Sequence, residues 1–177
     1  MRAPAPMGER STCRAGVYHR SVMPLVRRAY VIAAPGWLMM LPLAAYAATR
    51  VHAATYTHAF AFVIYGIGSL VCHQKPERSF HLWAAQLPVC ARCTGIYLGA
   101  AAAALVAQAF RPAVAAQAAP KGCATVSPRM VAIVSAIPTI ATLVFEWTTG
   151  ITPSNLVRFA AGLPLGAVVS WLVLKVR

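Results

Sequence analysis

The chain has 177 residues, of which 59% are hydrophobic and 11% charged, and its formal net charge is +13. A typical soluble domain is about a quarter charged, so this composition excludes an ordinary soluble domain and indicates a membrane protein of one domain. The basic residues lie in the tails and between apolar runs. We therefore expect the lipid bilayer as partner, and no nucleic acid.

Residues 1–28 are rich in arginine and lack apolar periodicity, which predicts a disordered basic tail. A helical membrane domain is predicted over residues 29–177, with apolar segments at 29–48, 54–72, 88–110, 130–147 and 156–174. Each approaches the ~20 residues that a helix needs to cross the hydrocarbon core. In lipid such runs must be helical, because every backbone N–H and C=O needs an internal partner. The predicted fold class is therefore all-α, a polytopic membrane protein with five transmembrane helices.

The first apolar segment has a second interpretation. Arg27 and Arg28 precede it, and Ala45-Tyr46-Ala47 ends it, which is also the pattern of a cleavable signal peptide. Cleavage there would leave four transmembrane helices.

The distribution of Lys and Arg predicts which side each loop occupies. With five spans and a cytoplasmic N-terminus, the inner side holds Arg2, Arg10, Arg14, Arg20, Arg27, Arg28, Lys75, Arg78 and Arg92. The outer side then holds Arg50, Arg111, Lys121, Arg129, Lys175 and Arg177. The excess lies inside, beside the first helix. We therefore predict a multi-pass protein of the bacterial inner membrane whose Cys-His segment, 72–97, faces the cytoplasm.

Four metal-ligating side chains frame that segment, which connects the second and third predicted helices. Cys72 and His73 end the second helix, and Cys90 and Cys93 begin the third. A helical hairpin would bring them together, and thiolate with imidazole is a ligand set that zinc prefers. The sequence thus predicts a metal site at Cys72, His73, Cys90 and Cys93. Because His73 directly follows Cys72, His81 or Glu77 could supply the fourth ligand instead.

Three other interpretations stay open. A Cys-x-x-C pair at a helix N-terminus has a lowered thiol pKa, so Cys90 and Cys93 could form a membrane thiol–disulfide oxidoreductase. The cysteines could also be free thiols that pack as small apolar groups. Finally, the chain could be a non-enzymatic subunit that assists membrane assembly or transport. Cys13 and Cys123 fall in predicted loops, and we assign them no role.

Several charged and polar residues are predicted to support the site: Glu77, Arg78, Arg92, Glu146, Asn155 and Arg158. Ionisable residues within a membrane usually face the bundle and pair. The turn that ends at Asn155 brings the last two helices side by side, so we expect Glu146 to pair with Arg158, Arg78 or Arg92.

Two Gly-x-x-x-Gly pairs, Gly95/Gly99 and Gly162/Gly166, mark helix faces that permit close approach of another helix. They predict helix contacts, and one or the other could serve a homo-oligomer or a membrane partner.

The stretch CHQKPERSFHL…QLPVCARCTGIYLG over residues 72–99 resembles the signature of the family of small bacterial membrane proteins known as domain of unknown function 2085. A looser resemblance continues through Glu146, Ser154, Asn155, Arg158 and Gly162. Glu146 stands where the family tends to have Asp, and Ala161 where it tends to have Thr. The resemblance implies a helical inner-membrane protein, and it implies no reaction.

Overall fold

A computed structural model describes residues 9–50, 52, 54–110 and 127–175, with side chains described from Leu25 onward. The elements follow in the order α1 (Glu9–Ala48), α2 (Thr55–Val71), one 3-10 turn (Pro76–Arg78), β1 (Ser79–Leu82), β2 (Ala85–Cys90), α3 (Ala91–Ala109), α4 (Pro128–Thr149) and α5 (Asn155–Lys175). The predicted loop that contains Cys123 lies largely outside the described residues.

Helices α3 and α5 pack most closely, and they run in the same direction. Gly95 and Gly99 on α3 lie against the backbone of Phe159 and Leu163 on α5. A Cβ at either glycine would come closer than 3.0 Å to those carbonyl oxygens, so only glycine permits this approach. Gly162 and Gly166 make the reciprocal contacts with the α3 backbone. The glycine faces are thus used within the chain, and they are not free for the oligomer contact that the sequence suggested.

Helix α1 runs antiparallel to α3. In the middle of α1, Tyr30 shares a hydrogen bond of 2.7 Å with Ser170, whose hydroxyl donates to the Ala100 carbonyl at 2.6 Å. About two turns further on, Trp37 meets Tyr97 edge to face, with ring centroids 6.1 Å apart. Along α1 the contacts therefore move backward along α3, which places the C-terminal end of α1 beside the beginning of α3.

A β-hairpin precedes α3, and it corrects the all-α prediction. Strands β1 and β2 are antiparallel, with Leu82 opposite Ala85 across a two-residue turn. Trp83 and Ala84 have φ values of 53° and 65°, the backbone signature of a type I′ turn. Residues 88–90 belong to β2, so α3 begins at Ala91, three residues later than predicted. Non-helical backbone is tolerated at membrane depth only where protein buries it, and Leu87, Pro88 and Val89 are indeed buried.

Helix α2 packs beside this hairpin. Tyr65 in the middle of α2 donates a hydrogen bond to the Gln86 carbonyl of β2, and Tyr46 near the end of α1 contacts Trp83 at the hairpin tip, with ring centroids 5.4 Å apart. At the end of α2, Cys72 lies against Cys90 at the hairpin base. Ile64 of α2 packs with Leu41 of α1 and Val89 of β2 in one buried cluster.

Because α1 runs antiparallel to α3 and the cysteines lie at the beginning of α3, the cysteine segment is at the end of α3 that is farther from the beginning of α1. The sequence predicts the N-terminus and the cysteines on one side of the membrane, which requires α2 with its 17 residues to cross, and that assignment stays a prediction.

Among the described residues, three helices are long and apolar enough to cross a membrane: Leu25–Ala48 of α1, α4 and α5. Large apolar side chains such as Ile32 and Phe62, 75% and 80% exposed, point outward as a lipid-facing surface requires. The α1 backbone is already helical from Glu9, whereas the sequence predicts a disordered tail through residue 28. Extending an existing helix needs no new nucleus, which gives a physical reason for the difference.

Candidate functional site

Three cysteines meet where the hairpin joins α3. The sulfur atoms of Cys72, Cys90 and Cys93 all lie within 4.8 Å of one another, and all three side chains are partly buried. Cys90 is the N-cap of α3, and Cys93 lies in its first turn. The backbone N–H of Cys90 donates to the Cys72 sulfur at 3.2 Å. Hydrogen bonds from the Cys90 thiol, and to a smaller extent from the Cys93 thiol, hold the pKa of Cys72 well below its usual range.

The position of Cys72 depends on a polar clamp between α2 and the hairpin. Gln74 has a φ of 48°, and its side-chain amide donates to the carbonyls of Tyr65 and Pro88, both at 2.7 Å. Gln86 returns a hydrogen bond of 2.5 Å to the Gln74 carbonyl. Gly68 permits the approach, since a Cβ there would lie 2.8 Å from the Gln74 amide nitrogen and still closer to the Pro88 carbonyl oxygen. Together these contacts bring the end of α2 to Cys90.

A carboxylate surrounded by three arginines forms the second part of the site. Glu146, 5% exposed, lies 2.9 Å from the guanidinium of Arg158, 2.5 Å from that of Arg78 and 3.6 Å from that of Arg92. The predicted Glu146–Arg158 pair is confirmed, and the two alternative partners are present as well. Arg158 is itself 1% exposed. One buried carboxylate thus connects α3, α4, α5 and the 3-10 turn before the hairpin.

The remaining predicted residues occupy different positions. His73 is exposed and lines the cavity beside the cysteines, but it is outside the close thiol cluster. His81 lies in β1 opposite Gln86, away from that cluster, and Glu77 is an exposed partner of Arg78 at 3.9 Å. Asn155 donates to the carbonyl of the fully buried Ser79 at 3.1 Å, which joins α5 to the hairpin. Whether His73 ligates a metal stays a prediction.

Sequence reasoning missed the parts of the site that the hairpin supplies. Neither Trp83 nor Ala84 is a typical residue of a tight turn, so no turn signal marked the hairpin. Gln74, Gln86 and Ser79 have no periodic pattern, and their importance follows only from the carbonyls that they meet. Trp147 and Leu143 lie within the predicted apolar segment 130–147, where nothing distinguishes them in the sequence, and they form part of the cavity wall.

The fold and the buried ionic centre define a helical integral membrane protein. Residues 72–172 match the family described as a predicted membrane protein, domain of unknown function 2085, and the chain belongs to this family. An uncharacterized protein of Methanothermobacter thermautotrophicus is 38% identical over 96 residues, which cover 54% of this chain and 78% of that protein. An uncharacterized protein of Methanocaldococcus jannaschii is 53% identical over 36 residues, 20% of this chain and 23% of that protein. No solved structure matches the chain.

Proposed function

We propose that this membrane protein binds a thiophilic metal ion, zinc in the first instance, through Cys72, Cys90 and Cys93. The observation that carries this proposal is the mutual approach of three sulfur atoms within 4.8 Å. Tetrahedral zinc with Zn–S bonds of about 2.3 Å places its sulfur ligands about 3.8 Å apart, so small side-chain movements would complete the geometry. His73, which lines the adjoining cavity, is the candidate fourth ligand.

The charge of the surroundings supports the same proposal. Zinc with three thiolates carries one net negative charge, and a buried negative charge needs compensation. Arg78, Arg92 and Arg158 line the same cavity as the three cysteines, and they supply that compensation. The N-terminus of α3 adds a favourable dipole for thiolates at Cys90 and Cys93.

Metal content distinguishes this proposal from a packed cluster of free thiols. We expect about one zinc ion per chain in detergent-purified protein and almost none in Cys90→Ser/Cys93→Ser, measured by inductively coupled plasma mass spectrometry. The matched control is Cys13→Ser/Cys123→Ser, which removes the two cysteines to which the sequence assigns no role and should retain the metal. If His73 is the fourth ligand, the His73→Ala variant should bind the metal more weakly than the wild type does. Equally low metal in the wild type and both double variants would refute the proposal.

The arrangement of helices bears on the side of the membrane. If α1, α3, α4 and α5 cross and α2 does not, the end where α1 begins carries eleven basic residues: Arg2, Arg10, Arg14, Arg20, Arg27, Arg28, Arg111, Lys121, Arg129, Lys175 and Arg177. The cysteine end carries five, namely Arg50, Lys75, Arg78, Arg92 and Arg158. Basic residues accumulate on the cytoplasmic side, so this four-span topology, if it applies, favours a position of the cysteines away from the cytoplasm.

That placement favours a second candidate function, thiol–disulfide exchange at Cys90 and Cys93. Disulfides persist outside the cytoplasm and are rare within it. Alkylation trapping of the purified protein under oxidant and reductant tests this candidate. A Cys90–Cys93 disulfide that forms and is reduced reversibly would support it, whereas thiols that never change state would eliminate it.

A further inference from the structure

A cavity of about 380 Å³ lies beside the three cysteines, between the end of α2 and the last turn of α4. Arg78, Arg92 and Arg158 contribute to its wall, and so does Lys75 at its polar end. The neighbouring carboxylate is Glu146, which pairs with all three arginines. Glu146 neutralises one guanidinium, and the exposed Glu77 lies 3.9 Å from Arg78, so the arginine centre retains at least one positive charge and Lys75 adds a second.

Uncompensated charge is costly at this position. Arg158 is 1% exposed, and Arg92 has only 14% of its side chain exposed. Burying an unpaired ion costs several kcal/mol, and a protein normally avoids that cost by pairing the ion. The surplus of cations therefore calls for a further anion beyond Glu146.

Free hydrogen-bond donors occur on the same arginines. Among the described residues, no hydrogen-bond partner is present for the Nε atoms of Arg78, Arg92 and Arg158, nor for Nη1 of Arg158, and all four atoms are buried, although Arg78 Nε lies 3.9 Å from the Glu77 carboxylate. Glu146 Oε2 also lacks a hydrogen bond within this region, although it lies 3.6 Å from an Arg92 nitrogen. Several guanidinium N–H groups on one cavity wall suit an oxyanion, because arginine forks match the geometry of phosphate and carboxylate oxygens.

The rim of the cavity is apolar, unlike its arginine wall. Val71 and Trp147, 60% and 77% exposed, stand at the end of α2 and near the end of α4, and both line the cavity together with Leu143. In a bilayer these exposed side chains contact lipid, and tryptophan favours the level of the headgroups. The cavity thus combines a cationic interior with a lipid-facing rim.

We infer that this cavity is a binding site for a phosphate-type oxyanion, carried by an anionic phospholipid whose acyl chains lie against Val71 and Trp147. The headgroup oxygens accept hydrogen bonds from Arg78, Arg92 and Arg158. This inference does not rest on the metal proposal, because zinc with three thiolates would neutralise only one of the two surplus charges. Loss of the cysteines therefore leaves the lipid site cationic.

Binding of short-chain lipids to the full-length protein in a neutral detergent tests the inference. Isothermal titration would compare dioctanoyl phosphatidylglycerol, dioctanoylglycerol and inorganic phosphate. We expect phosphatidylglycerol to bind at least about ten-fold more tightly than dioctanoylglycerol, which has the same chains and no phosphate, and rising salt to weaken it. Tighter binding of the phospholipid than of inorganic phosphate supports the lipid as carrier. Equal binding of the two supports the oxyanion site but assigns it to a free oxyanion, which overturns the choice of lipid.

Variants locate the site. Arg92→Gln and Arg78→Gln should each weaken phosphatidylglycerol binding about ten-fold, and Arg92→Lys should lie between Arg92→Gln and the wild type, because it keeps the charge and loses the fork. Arg129→Gln, an exposed arginine at the beginning of α4, is the matched control and should bind as the wild type does. Cys72→Ser/Cys90→Ser/Cys93→Ser should lose metal and retain lipid, which separates the two proposals. Equal affinity for phosphatidylglycerol and dioctanoylglycerol, or full binding in folded Arg92→Gln and Arg78→Gln, would overturn the inference.

Discussion

The carboxylate of Glu146 joins three helices and the 3-10 turn at the cysteine end of the bundle, so we expect the stability of the fold to depend on its charge. Glu146→Gln preserves volume and removes the charge that faces guanidinium groups at 2.5, 2.9 and 3.6 Å. The substituted amide can accept only through its oxygen, and three cations then repel one another in a buried position. Breaking a buried ion pair by removing one partner costs about 3–5 kcal/mol. For a chain of this length that loss corresponds to a melting temperature lower by roughly 6–20 °C.

Thermal unfolding in detergent, followed by tryptophan fluorescence, measures the change. Glu77→Gln is the matched control, because Glu77 is 57% exposed at its side chain and 3.9 Å from Arg78. An exposed pair contributes at most about 1 kcal/mol, so this variant should melt within a few degrees of the wild type. Glu146→Asp keeps the charge on a shorter side chain and should fall between the two. A Glu146→Gln protein that melts as Glu77→Gln does would refute the view that Glu146 joins the helices.

Three further predictions concern packing, the turn and the topology. Gly166→Ala places a Cβ closer than 3.0 Å to the Ile96 carbonyl oxygen and should destabilise the protein by about 1–3 kcal/mol. The control is Gly36→Ala, whose Cβ meets nothing within 4 Å and which should be neutral or slightly stabilising in the same thermal assay. Ala84→Gly removes the strain of a side chain at a φ of 65° and should raise the free energy of unfolding by about 0.5–1 kcal/mol. Ala85→Gly in β2 should lower the free energy of unfolding, and destabilisation by both variants would contradict the type I′ turn. A cysteine placed at Lys75, in a background without the other reactive cysteines, should react with an impermeant maleimide from outside the cell. One at Phe110 should react only after permeabilisation, and the reverse result would restore the cytoplasmic orientation of the site.

Composition and local spacing were sufficient for the class of protein and for the candidate residues. A run of apolar residues in lipid has to be helical, which is why all five predicted segments match a helix within three residues at each end, except at the beginning of α1, which starts at Glu9. Cys72, Cys90 and Cys93 could be grouped because a short connection between two helix ends limits their separation. Glu146 and Arg158 could be paired because a lone charge in a membrane needs a partner and a short turn connects their helices.

Only the tertiary structure decided where these groups lie relative to one another. Length and hydropathy do not show which ends of the elements meet, and this depended on contacts such as those of Trp37 with Tyr97 and of Cys72 with Cys90. The partners of the glycine pairs and the convergence of three arginines on Glu146 are long-range contacts, and no local pattern encodes them. The sequence determined which residues could form a site in a bilayer, and packing decided which of them share it.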